Sequence, residues 1–225
     1  MSDQYFEYFL EKFGQPQQAL AVTQEVLNKY QGKLPDQLLQ YWEQVGFCGF
    51  KEGLFWITNP DDYAEALYAW LEQTDVLDDD IWYVIGRTGF GEFYIWGEKN
   101  WLKYKLDITN GQLFETSSSM NDGSIDINTN IQYFFSMRKE KSMNWTDVNS
   151  KPLFERSVKK YGALKKDEIF GFEPALILGG EAKLANIRKL DIHVHMAILK
   201  EFTDVYTTDL DGLGQILYGA PISSH

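Results

Sequence analysis

Asp75, Asp78, Asp79 and Asp80 place four carboxylates in six residues, and with Arg87 and Glu92 they form the best candidate contact set for a partner. They belong to a stretch, 52–86, that carries nine Asp or Glu and no Lys, Arg or His. Phe55, Trp56, Tyr63, Tyr68, Trp70, Trp82 and Tyr83 are interleaved with those acids. Aromatic rings supply contact area at low entropic cost, and fixed negative charge steers a cationic partner into place. The chemistry these residues suit is the holding of a basic protein, not the making or breaking of bonds.

Other groups that could do chemistry fall short of a site. Gly86-Arg87-Thr88-Gly89-Phe90-Gly91 suggests a phosphate cradle, but the glycines are in the wrong order for a dinucleotide fingerprint and an alternating strand follows where a helix is required. A nucleotide-binding regulator or small enzyme that uses this loop and Arg87 is the alternative reading. His193-Val194-His195 could converge on a metal from a strand, whereas the segment reads as a helix, so one histidine is expected in the core and the other in solvent. Asp209-Leu210-Asp211-Gly212 and Asn121-Asp122-Gly123 are fragments of calcium loops that lack the full ligand register, and read as turns. Cys48, between Phe47 and Gly49, reads as a small buried hydrophobe. No P-loop, G-x-S-x-G elbow or H-E-x-x-H occurs. The expectation is no catalytic residue, no metal and no cofactor.

The charge is lopsided. Residues 1–145 hold 11 Lys and Arg against 22 Asp and Glu, whereas residues 146–225 hold 10 against 11. Such acidity argues against direct binding of a nucleic acid backbone. One cysteine allows no internal disulfide, the first residues lack a signal-peptide pattern, and no apolar run could span a bilayer, so a cytoplasmic, non-membrane protein is expected.

The elements that must position these residues follow from periodicity. Helices are expected over Tyr5–Phe13, Thr23–Tyr30 and from Pro35 to Val45, with Gly14 and Gly46 as stops. Leu54–Ile57 reads as a buried strand, and Asn59-Pro60-Asp61-Asp62 opens a helix to about Thr74. Asp61 and Asp62 there serve the helix dipole and are not counted as partner contacts. Strands follow at Ile81–Arg87, Glu92–Gly97, Trp101–Asp107 and Gln112–Glu115, with an Asn110-Gly111 turn. Thr116–Asp126 reads as a loop, and Ile131–Phe135 as a closing helix. Beyond the polar stretch Arg138–Lys151 come a helix over Phe154–Tyr161, the segment Asp167–Phe172, a strand over Ala175–Leu178, and a helix from His193 to Phe202 built on Val194, Ile198, Leu199 and Phe202. The fold class is mixed α+β: helices packed on an antiparallel sheet in an acidic domain, 1–145, then a smaller α/β domain, 146–225, each with its own core.

Leu34-Pro35 through Trp70, with the Ile85–Glu92 hairpin and Trp96-Gly97, resemble the GAD-like domain. Tyr161–Glu168, the run Gly171–Gly180 and His195-Met196 resemble the domain usually fused behind it. The pairing, over roughly residues 20–220, is similar to immunity proteins of bacterial type VI secretion systems that neutralise cognate DNase effectors. It implies a non-enzymatic inhibitor that covers a toxin's active site or nucleic acid groove. The matching residues define the fold, so the resemblance carries over no list of contacts. An adaptor in a larger assembly would use the same acidic face on a different partner.

Overall fold

The computed structural model describes residues 3–116 and 124–208. Helix α1 (Gln4–Phe13) begins where the Asp3 carboxylate accepts from the amides of Tyr5 and Phe6, and ends at Gly14, whose φ of 81° suits glycine. Its Phe6, Phe9 and Phe13 recur at helical spacing and are buried. They meet α3 (Asp36–Val45) and α5 (Ile127–Ser136), with Phe6 stacked on Tyr41 at 4.0 Å and Phe9 edge-on to Phe135 at 5.2 Å. Between α1 and α3 come a short exposed strand, β1 (Gln17–Leu20), and α2 (Gln24–Tyr30).

These helices cover one face of an eight-stranded sheet ordered β1-β2-β3-β4-β5-β6-β7-β10. Its further strands are β2 (Phe47–Phe50), β3 (Phe55–Ile57), β4 (Trp82–Thr88), β5 (Glu92–Gly97), β6 (Trp101–Asp107), β7 (Gln112–Glu115) and β10 (Tyr206–Thr208). All neighbours are antiparallel except β7 and β10. The twofold strand period divides β5 between two cores: Tyr94 and Trp96 join the aromatic cluster under α1, while Phe93 and Ile95 join a second cluster with Leu67, Trp70 and Leu71 of α4 (Ala64–Leu71). Both faces of the central strands are therefore covered, which is why β5 reads as an unbroken buried run.

After α6 (Glu140–Met143), the second half is built on α7 (Phe154–Tyr161), the antiparallel pair β8 (Glu168–Phe172) and β9 (Ile187–Asp191), and α8 (Ile192–Lys200). Its described apolar residues join the two cores of the sheet. Phe154, Phe170 and Phe172 close around Phe90 of the β4–β5 turn, with ring centroids 6.0–6.2 Å away. Ile169, Met196 and Leu199 complete the cluster under α4. Backbone bonds cross the seam as well, from Phe170 to Gly89 at 2.9 Å and from Leu164 to Glu52 at 3.0 Å. Gly89 must be glycine there, because a Cβ would sit 2.6 Å from the Phe154 ring.

Other differences have local causes. The polar stretch 138–151 is an ordered joint: Trp145 packs on the aromatic core, and Asp147 accepts from the amides of Asn149 and Lys151 while pairing with Arg156 at 2.6 Å. Ala175–Leu178 is not a strand. Leu176–Leu178 form a single 3-10 turn ending at left-handed Gly179, half-exposed and without a strand partner. The helix opened by Asn59 starts with a 3-10 turn at Pro60–Tyr63 and stops at Leu71, three residues short of the expected end. Residues 117–123 of the expected loop lie outside the described residues.

Candidate functional site

The acidic turn after α4 is held from beneath. Val76 is buried, its carbonyl accepts from the Trp82 indole at 2.9 Å, and the Thr74 hydroxyl donates to the Leu71 carbonyl at 2.8 Å. With those anchors in the core, Asp75, Asp78 and Asp79 are left on the surface, as are Glu65 and Glu72 before them. These exposed acids are where a loop can present charge without desolvating it.

The other three residues of the expected contact set are inside the protein. Asp80 is buried because its carboxylate organises the next loop: it accepts from the amides of Ile81, Lys99 and Asn100 at 2.8–2.9 Å and from the Asn100 side chain at 3.0 Å. Arg87 is fully buried, donating to the Tyr63 hydroxyl at 2.9 Å, to the Thr88 carbonyl at 3.3 Å and to the Lys166 carbonyl, with its guanidinium over the Trp56 ring. Glu92 is buried against Lys105 at 2.5 Å. The Gly86–Gly91 loop is a hairpin turn capped by the second half of the chain, and Arg87 ties that half down through Lys166. The nucleotide-loop alternative thus loses the exposed arginine it was built on.

The rings set among the acids are also core. Phe55, Trp56, Tyr63, Trp70 and Trp82 are buried, Tyr83 is half-buried, and only Tyr68 is exposed. Strand alternation and the inward side of α4 claim them. Asp61 and Asp62 do more than serve the helix dipole: Asp61 accepts from Lys29 at 2.5 Å and from Tyr30 at 2.7 Å, and Asp62 pairs with Lys166 at 2.9 Å.

Of the two histidines, His195 is buried against the β8 backbone at Gly171, where a Cβ would come within 2.7 Å of Nε2. Burial holds its pKa below the usual histidine value, with Glu173 pulling weakly the other way. His193 is half-exposed and stacks on Tyr63 at 5.3 Å. No cluster of three metal-ligating side chains occurs among the described residues. The two calcium-loop fragments, Asn121–Gly123 and Asp209–Gly212, lie outside them. Cys48 is buried, and burial alone pushes its thiol up to about 12, far from a nucleophile's range.

A further group of exposed apolar residues lies at the last helix, which ends at Lys200, two residues short of the expected end. Val194 and Ile198 on it, and Phe202 just after it, are 58%, 51% and 59% exposed. The side that packs is Ile192, His195, Met196 and Leu199. The segment is apolar on two sides, and periodicity could not tell which one the core would take. The i, i+4, i+8 spacing of 194, 198 and 202 was the available signal for an outward ridge.

A chain in which helices cover a sheet, and a smaller α/β part seals the same cores, matches two known domains in sequence. Residues 4–110 match the GAD-like domain, and residues 128–203 match the C-terminal domain of the T6SS immunity protein Tdi1. By these matches the chain has a two-part architecture, with a GAD-like domain in front of a domain of the kind found at the C-terminus of the T6SS immunity protein Tdi1. The crystal structure of Atu4351 from Agrobacterium tumefaciens has the same fold, with a TM-score of 0.81 at 21% identity over 91% of this chain and 92% of that one. No curated protein matches the sequence. No helix among the described residues is long and apolar enough to cross a membrane.

Proposed function

We propose that this protein works in the cytoplasm as a non-catalytic inhibitor that binds one cognate type VI toxin, a basic DNase, and covers its active site or nucleic acid groove. The observation that carries the reading is the immunity-domain match at residues 128–203 on a chain of net charge −12. A nuclease presents cations to a polyanion, so an acidic inhibitor competes for the same surface. Asp75, Asp78 and Asp79 supply exposed negative charge that draws the toxin in. The test first looks for a gene beside this one that encodes a secreted nuclease-like protein, and uses that protein as the effector. Stoichiometric addition of the purified protein should form a stable complex and stop the effector cutting DNA. An effector that cuts at full rate in the presence of excess protein, with no complex on a sizing column, would remove the reading.

A further inference from the structure

Helix α8 buries one side and offers the other, and we infer that the offered side is the seat of the toxin, specifically of an apolar segment flanked by Lys or Arg. This rests on the inhibitor reading above and names the surface that reading leaves open. Val194 and Ile198 on the helix and Phe202 in the turn just after it form one ridge along the same hollow, each more than half exposed. The ridge does not reflect a loosely packed helix, since Met196 and Leu199 on the opposite side are sealed in the second core and the Met196 carbonyl accepts from the Trp70 indole at 3.2 Å. Large apolar side chains held in the open by a well-anchored helix are the usual mark of a protein-binding surface.

Hollows border the ridge on both sides. One, of about 270 Å³, is lined by Pro174, Ala175 and the 56%-exposed Leu178. The other, of about 360 Å³, runs between α4 and α8 over Ala66, Ala69, Ala197 and Trp70. The short alanines leave depth for a long side chain, whose stem would lie over Ala66, Ala69 and Ala197 with its charge at the rim.

Charge decides the occupant. The first hollow is rimmed by Glu173 and Asp191, the second by Glu65 and Glu201, and a third continuing from it by Glu72 and Asp204. Lys200 is the one Lys or Arg lining any of the three, among the described residues. A second copy of this chain would bring acid against acid, and an anionic lipid surface would be repelled in the same way. A basic protein with an apolar centre fits both parts of the surface.

The experiment titrates the neighbouring effector by calorimetry into the wild-type protein and into Ile198→Lys, Ile198→Gln, Phe202→Ala and, as a control far from α8, Tyr8→Ala. Each variant is first matched to the wild type by circular dichroism and thermal melting. Phe202→Ala should weaken binding by roughly 30-fold, the scale of a central apolar anchor. Ile198→Lys should weaken it further than Ile198→Gln, because the added cation meets a cationic partner, and Tyr8→Ala should bind as the wild type does. Wild-type affinity in all α8 variants would overturn the α8 assignment and leave the inhibitor reading standing. Failure of the wild type itself to bind would overturn both. Self-association of the wild type that Ile198→Lys abolishes would give the ridge to a second copy and also overturn the assignment.

Discussion

A guanidinium sealed inside a protein must find acceptors, and Arg87 finds them on Tyr63, Thr88 and Lys166. Its role is to fasten the two halves of the chain. Arg87→Met keeps much of the apolar stem but orphans the Lys166 carbonyl and the Tyr63 hydroxyl. We expect it to cost about 2–4 kcal/mol in urea denaturation while leaving toxin affinity of the folded fraction unchanged. Unaltered stability with lost binding would return Arg87 to the contact surface. Asp107 offers a separate test. Burial, and then the charge of Glu92, push its carboxyl up to about 6 despite hydrogen bonds from Asn110 and Thr109. The folded protein therefore holds a proton that the unfolded chain releases near pH 4. Asp107 favours folding most below that pH, and its contribution falls as pH rises towards about 6. Asp107→Asn should flatten the stability curve between about pH 4 and 6 and raise stability at pH 7 by up to about 2 kcal/mol, as read by urea midpoints.

Among the elements, the turn after α4 separates two kinds of carboxylate that look alike in sequence. Asp75, Asp78 and Asp79 changed together to Asn should slow toxin association several-fold at low salt and reduce its salt dependence, with melting unchanged. Asp80→Ala should instead melt early, by about 1–3 kcal/mol, because the amides of Lys99 and Asn100 lose their acceptor. Stopped-flow association and thermal melts separate the two. Much of this element level was legible beforehand. Asn59 and the stop glycines announce helix ends, and alternation announces β4 to β7, because caps and pleats are local. What sequence could not show was non-local. The edge strands β1 and β10 exist through partners far along the chain, and Asp80, Arg87 and Glu92 look like surface residues until the loops that bury them are in place. The exposed side of α8 was hidden for the same reason: a helix apolar on two sides does not say which side finds α4.

For the molecule as a whole, the 145/146 division is expected to be a seam of sequence rather than of stability. Six of the seven tryptophans precede Trp145, so fluorescence reports mainly on the first part. Phe170 belongs to the second part yet lies in the shared aromatic core. Phe170→Ala should therefore lower a single transition, seen together by fluorescence and circular dichroism, by about 3–5 kcal/mol. Two separated transitions, with the tryptophan signal unmoved, would show independent domains. The parallel pairing of β10 with β7 carries a consequence in time. Tyr206–Thr208 lie beside Gln112–Phe114, so the outer edge of the sheet is finished by residues translated long after those they pair with. While a ribosome is still making the second half, β7 offers a bare edge and Phe90 an open aromatic socket, both invitations to wrong partners. Under the proposed inhibitor reading, protection should begin only after β10 has been made, and a chain stopped between the two halves should give none.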